Sequence, residues 1–286
     1  MHYLLDIRTL SLGSGVISLV LCLCMLYVSR KRKTYAGFSQ WTISSILNYF
    51  GLMLLSLRDT LPDFITIPIA NTLVITSCGF IAYGMEIFTN STKRIWLFIS
   101  LTTLSFVSFL YFTYYSPNIN ARIVTVSAIL AVLFGYCSYI VHRYIPRLIG
   151  DKNTLLAAVF GIQAVFSLLR LIEAALFEGP IVDFMHASVT HGASFVIFSL
   201  GNILVITGLI ILNFQRVEND LLATMEEVKT LRGIIPICSS CKKIRDDKGI
   251  WSQIEIYIRD HSEVEFSHGL CPECVKKLYP NIRKGE

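Results

Sequence analysis

"GASFVIFSLGNILVITGLIILNF", residues 192–214, carries no charged side chain, and "QRVENDLLATMEEVKTLRG", residues 215–233, follows it without a proline. The first stretch is long enough to cross a hydrocarbon core, which takes about 20 apolar residues. In the second, Phe214, Val217, Leu221, Thr224, Val228 and Leu231 fall on alternating steps of three and four. That is a heptad seam with one polar interruption. No glycine breaks it before Gly233. One helix is therefore expected to leave the membrane and continue as half of a parallel two-stranded coil, pairing two copies of the chain through residues 214–231.

The same apolar pattern repeats toward the N-terminus. Stretches near 10–29, 39–57, 65–88, 95–115, 123–141 and 154–177 each read as a span, seven in all with 192–214. The first is too long, and lacks the small-residue cleavage pattern, for a removable leader. Composition agrees: 53% of the 286 residues are hydrophobic and 16% charged, against about a quarter charged in soluble domains. Arg30, Lys31, Arg32 and Lys33 follow the first span, Lys93 and Arg94 the third, and Arg143, Arg147 and Lys152 the fifth. The other side offers Arg8, Arg58 and Arg122, with Arg58 read as an exposed loop residue. Basic loops stay in the cytoplasm, so the N-terminus is expected outside and the C-terminus inside.

Beyond the seam, Cys238 and Cys241 form one Cys-x-x-Cys pair and Cys271 and Cys274 another. Four thiolates in two such pairs suit a closed tetrahedral site for a structural Zn²⁺. A hairpin near Asp246–Gly249 and a helix opened by Pro272 would complete a treble-clef-like finger, with Trp251, Ile254 and Ile258 on an inserted amphipathic helix. Residues 233–286 hold nine Lys and Arg against eight Asp and Glu. That balance gives no basic face for a nucleic acid. A redox pair would need one Cys-x-x-Cys in a βαβ setting, which is absent.

"LRGIIPICSSCKKIRDDKGIWSQIEIYIRD" together with "EVEFSHGLCPECVKKLYP" resembles a small element at the ends of bacterial signalling proteins, where it follows PAS or receiver domains through a coiled coil. The resemblance covers about 230–282. "LDIRTL" and "YAGFSQWTISSILNYFGLMLLSLRDTLPDF", within the first ninety residues or so, look like the multi-span sensory region that precedes GGDEF domains in membrane-bound diguanylate cyclases. The resemblance implies a bacterial inner-membrane sensor with a cytoplasmic signalling partner. No GGDEF-type loop, kinase nucleotide motif or phospho-acceptor histidine segment is legible, and no nucleophile, base and orienter stand at a recognisable spacing, so an enzyme is not expected.

Ionisable groups inside a span are costly, and each marks a candidate site. Gln163, Ser167, Arg170 and Glu173 follow steps of four, three and three, and Arg170 can pair with Glu173. Thr72, Thr76, Gly79, Tyr83 and Glu86 form a second stripe, and His191, Ser194 and Asn202 a third group. The sensing candidates are Gln163, Arg170, Glu173, His191 and Asn202. Bundle glue is the plainer reading of the same residues. The outer loops after the second and fourth spans are too short for a folded receptor domain, which leaves the bundle, the lipid or the loop holding Asp183 and His186 to sense a stimulus.

The expected fold is thus an all-α membrane bundle over 1–214, a coiled-coil linker over 215–232 and a zinc-binding α+β module over 233–286. The expected function is a membrane sensor that relays a stimulus through the seventh span and the coil to a docking module. The alternative is a small-molecule or ion transporter with a zinc-stabilised tail. A retinal-type receptor is disfavoured more directly: no lysine lies in any expected span, so no Schiff base can form there.

Overall fold

The computed structural model describes residues 7–150, 154–177, 179, 181, 189–229, 236–246, 248–261 and 265–279, with the backbone alone for 189 and 226–229. Its long helices are α1 (Ile7–Lys31), α2 (Phe38–Ser56), α3 (Ala70–Phe88), α4 (Ile95–Leu110), α5 (Ile119–Ile149), α6 (Thr154–Leu176) and α7 (Val189–Lys229). A wide π-turn at Ile65–Ile69 leads into α3 around Pro68, which has no backbone N–H to give to a regular turn. Another, Tyr111–Tyr115, ends α4.

Six segments, Ile7–Lys31, Ile65–Phe88, Ile95–Tyr115, Ile119–Ile149, Thr154–Leu176 and Thr190–Met225, are long and apolar enough to cross a membrane. The chain is a multi-pass membrane protein. The expected span that is not among these six, α2, is 19 residues long, about 28 Å at 1.5 Å per residue. Its length suffices, but Gln40, Thr42, Ser44, Ser45 and Asn48 dilute its hydropathy. Helix α5 overruns the expected 123–141 at both ends and stops at Gly150, whose left-handed φ of 78° lets its N–H reach the carbonyl of Pro146.

Contacts at the helix ends fix the direction of each helix. Arg8 in the first turn of α1 pairs with Asp59, just past α2, at 2.9 Å. Asn120 in the first turn of α5 donates to the carbonyl of Ala174 near the end of α6. At the opposite end, Arg216 and Asn219 of α7 reach the last carbonyls of α3 and α5. Helices α1, α3, α5 and α7 therefore run the same way, and the basic residues after the first three share an end with the exit of α7.

The bundle buries polar groups beside an apolar core and leaves much apolar surface outside. On α6, Gln163, Ser167 and Arg170 are buried, while Leu155, Ile162, Val165, Leu169 and Leu176 are exposed. Lipid is as apolar as leucine, so such helices gain little by hiding leucine and much by satisfying polar groups internally. Trp41, Met85, Phe88, Ile140 and Leu212 belong to the apolar core. Helices α2 and α3 approach closely at glycines, Gly51, Gly84 and the preceding Gly37. A Cβ on Gly84 would lie 2.5 Å from the Trp41 ring and 2.9 Å from the Gly37 carbonyl. Gly37 itself has φ 104°, a conformation that side chains disfavour.

The chain divides into two compact units, residues 1–219 and 220–286, and the division falls within α7, beyond the boundary expected at 214. In the second unit, β1 (Ile244–Arg245) pairs antiparallel with β2 (Trp251–Ser252), followed by α8 (Ile254–His261) and α9 (Pro272–Leu278). The hairpin turn is closed by Asp246, whose carboxylate accepts from the N–H of Ile250 at 2.8 Å, and by Gly249 at φ 82°. Trp251 thus belongs to a strand and not to the amphipathic helix expected for it: its backbone pairs with Arg245, and the helix starts at Ile254. Val228 is described by backbone alone, and Leu231 of the seam lies outside the described residues, as do Lys152, Asp183 and His186.

Candidate functional site

In the first unit several polar residues meet at a cavity of about 200 Å³ inside the bundle. Gln163 and Arg170 from α6 and His191 and Asn202 from α7 all line it. Glu173 does not, but holds Arg170 from the side, accepting from its Nη1 at 3.3 Å while remaining about one-third exposed. The Nη2 of Arg170, a residue 3% exposed, lies 3.2 Å from Nδ1 of His191. A guanidinium has no proton to lose at ordinary pH, so it donates and the imidazole Nδ1 accepts. Four of the five sensing candidates therefore meet in one place, and the fifth braces them.

Elements that the sequence left unmarked complete the lining. Asn48 of α2 and Asn202 of α7 both donate to the hydroxyl of Ser18 on α1, at 2.6 and 3.3 Å. Ser14 of α1 meets Ser199 of α7 through their hydroxyls. The amide of Gln163 packs onto Gly201, where a Cβ would come within 2.5 Å of it. Helix α3 contributes Asn71, Ser77 and Cys78. The stripe expected on α3 faces elsewhere: Thr72, Thr76, Gly79 and Tyr83 are not in the lining. Its last member, Glu86, is fully buried, accepting from the Tyr136 hydroxyl at 2.6 Å and from the Arg94 N–H at 2.9 Å.

Arg58 corrects the reading from sequence. It is half-buried and lines the cavity together with Arg122 of α5. Both also line a second cavity of about 630 Å³ nearer the helix ends, with Asp63, Asn118 and Asn120. A residue just past the end of a helix can face either solvent or a bundle mouth, and its sequence neighbours do not distinguish the two. The lining is largely apolar, and its polar chemistry is hydrogen bonding and positive charge: it includes three arginines and a histidine, and among the described residues no Asp or Glu.

In the second unit the four cysteines stand as two local pairs. The Cys238 N–H donates to the Lys243 carbonyl at 2.8 Å and the Lys242 N–H to the Cys238 carbonyl at 3.0 Å, with Lys242 left-handed at φ 59°. This knuckle turns the N–H of Cys241 toward the Cys238 sulfur, which holds that thiol below its ordinary pKa, helped by the Ser240 N–H and the Cys241 thiol. Cys271 immediately precedes α9, and its thiol is lowered first by the Cys274 N–H and then by the Cys274 thiol. Amide donors aimed at sulfur favour thiolate, the form that binds metal, so each pair fits zinc chemistry. Among the described residues no group of three or more His, Cys, Asp or Glu is gathered as a metal site, so the two pairs are not brought together. His261 stacks on Tyr257 with ring centroids 4.1 Å apart, and His268 is exposed.

Comparison with known proteins finds no family model that matches the chain, and no curated protein or solved structure significantly similar to it.

Proposed function

We propose that the protein is a membrane-embedded sensor, in which a stimulus received in the bundle cavity is passed along α7 to a cytoplasmic docking module. One observation carries the reading. Helix α7 supplies His191, Ser194, Ser199 and Asn202 to the cavity and runs without interruption to Lys229. A change in how those residues are held need not be absorbed before the helix passes residue 214. In this reading α2 also crosses the membrane, making seven spans, the N-terminus is outside and the C-terminus lies in the cytoplasm of a bacterium. The exposed Phe214, Leu221 and neighbouring Leu222 and Met225 suit pairing with a second copy. The transporter reading gains no comparable observation.

The terminal unit supports a structural metal. Among the described residues beyond 219, Ile244 alone is buried. So small a core rarely folds unaided. Cys238, Cys241, Cys271 and Cys274 would hold Zn²⁺, which when bound would supply a cross-link among four thiolates. Ile250, Phe266 and Leu278 are left exposed and suit a protein partner.

The test places a photo-cross-linking amino acid at Leu221 of the full chain in membranes. Dimer formation is expected, with a yield that changes in Arg170→Gln and stays the same in Arg143→Ala, an exposed position near the end of α5. Absence of any dimer band refutes the paired coil. A dimer yield that ignores Arg170→Gln makes the cavity a packing feature.

A further inference from the structure

The sensor reading leaves the stimulus open, and resting on that reading we propose that the cavity binds an anionic amphiphile: a carboxylate- or phosphate-type head with a short apolar body. The argument begins with depth. Arg58 directly follows the last turn of α2, Arg122 is about 5 Å into α5, His191 about 3 Å into α7, and Arg170 about 9 Å from the end of α6, at a rise of about 1.5 Å per residue. These helix ends share one side of the bundle, so the cationic groups form the outer part of the cavity.

Deeper positions change character. Leu130, Phe134, Phe198 and Val205, about 14–24 Å from the same end, supply apolar walls, and the amides of Asn48, Gln163 and Asn202, about 12–20 Å from it, stand among them. A ligand entering head-last would leave its charge among the guanidiniums and its chain against leucine, phenylalanine and valine.

Charge selects the sign. Three arginines line the inner cavity, and among the described residues no carboxylate does. An anionic head placed among buried guanidiniums would be favoured in a low-dielectric setting, where opposite charges attract strongly. Glu173 meets one edge of Arg170 from outside the lining. Arg58 and Arg122 also line the outer cavity, where Asp63 offsets part of their charge, so the rim shared by the two cavities keeps a net positive balance that would draw anions inward.

Volume limits the size. About 200 Å³ exceeds what a few ordered waters occupy, but falls below the roughly 300–1,000 Å³ of pockets for drug-sized ligands. A short-chain amphiphile fits and a two-chain phospholipid does not.

The experiment uses the full chain in nanodiscs of zwitterionic lipid, with radiolabelled octanoate as probe and empty nanodiscs as background. Saturable binding is expected, displaced by octyl phosphate and not by octanol, octyltrimethylammonium or acetate. Arg122→Gln and Arg170→Gln should each weaken it at least ten-fold. Arg122→Lys should retain most of it, and Arg143→Ala all of it. Monodisperse elution of each variant checks folding. No saturable binding, displacement by octanol as effective as by octanoate, or indifference to both Gln variants overturns the anionic head. Equal displacement by acetate overturns the apolar body. Relative strength of octanoate and octyl phosphate separates a carboxylate source from a phosphate one, and either preference supports the proposal. Octanoate that binds without altering cross-linking at Leu221 leaves the ligand class standing and removes the relay. Cross-linking that responds to Arg170→Gln without octanoate binding does the reverse.

Discussion

Arg216 of α7 donates from Nη1 to the carbonyl oxygen of Phe88, the last residue of α3, at 2.8 Å. Its guanidinium also lies over two rings, 4.2 Å from the centroid of Tyr35 and 5.0 Å from that of Phe88. Three residues earlier, Asn213 accepts from the Tyr35 N–H and donates to the Lys33 carbonyl, both at 3.1 Å. Three residues later, Asn219 donates to the Ile149 carbonyl at 2.6 Å, the last residue of α5. Steps of three keep the three grips near one face of α7. Each satisfies backbone that α1, α3 or α5 leaves unpaired where it ends.

Arg216→Ala should therefore lower the stability of the membrane unit. A hydrogen bond to a charged donor contributes about 1.5–3 kcal/mol, and the ring contacts add about 0.5–1 kcal/mol where exposed. A loss of roughly 2–3 kcal/mol is expected in reversible unfolding of the full chain in detergent. Arg216→Lys should recover only part of it, since an ammonium lacks the planar face that stacks on Tyr35. Full recovery by lysine would assign the effect to charge alone.

Gly84→Ala should destabilise the α2–α3 contact. The new methyl would fall 2.5 Å from the Trp41 ring and 2.9 Å from the Gly37 carbonyl, and Trp41 is held in place by donating from Nε1 to the Ile81 carbonyl at 3.2 Å. Overpacking of this kind costs about 1–3 kcal/mol. Gly13→Ala is the matched comparison, because a Cβ there meets nothing within 4 Å. Its unfolding midpoint should be unchanged or slightly higher. Equal effects at the two positions would mean that helix propensity decides the outcome and close approach does not.

The stripe of Gln163, Ser167 and Arg170 was legible because polar residues at helical spacing stand out in an apolar run. Asn48 and Asn71 were not, since a single amide in a span sets up no period. Arg122 reads as a loop charge until α5 is seen to begin at Ile119. Trp251 fits a helical spacing with Ile254 and Ile258 equally well, and only its pairing with Arg245 decides for the strand. The grips of Asn213 and Arg216 leave no mark in the sequence at all, because their partners are carbonyls that every residue carries.

Metal removal tests the terminal unit. If zinc holds the four cysteines, strong chelator should release one equivalent per chain. It should expose Ile244, seen as faster backbone hydrogen exchange at 236–252, and leave exchange in α1–α6 unchanged. Cys238→Ser should reproduce that pattern without added chelator. The membrane helices satisfy their own backbone within lipid and do not need the metal. Chelator-resistant protection at Ile244 would show that the knuckle and hairpin stand without zinc.

Release of the α7 grips should mimic a stimulus. Asn213, Arg216 and Asn219 hold the exit of α7 to the ends of its three parallel neighbours, while His191, Ser199 and Asn202 hold its upper half to Arg170, Ser14 and Ser18. Rotation of α7 has to break the lower set together, at about 1 kcal/mol for each neutral hydrogen bond. A ligand can supply such a difference only if it binds the two arrangements unequally. Removing two neutral grips lowers the same barrier without any ligand. Asn213→Ala with Asn219→Ala should thus shift cross-linking yield at Leu221 in the direction that octanoate shifts it in the wild-type chain. In that variant octanoate should have a smaller further effect. A double variant that cross-links as the wild type does would show that the grips serve stability alone, and that α7 moves, if it moves, by sliding along its axis with its neighbours still attached.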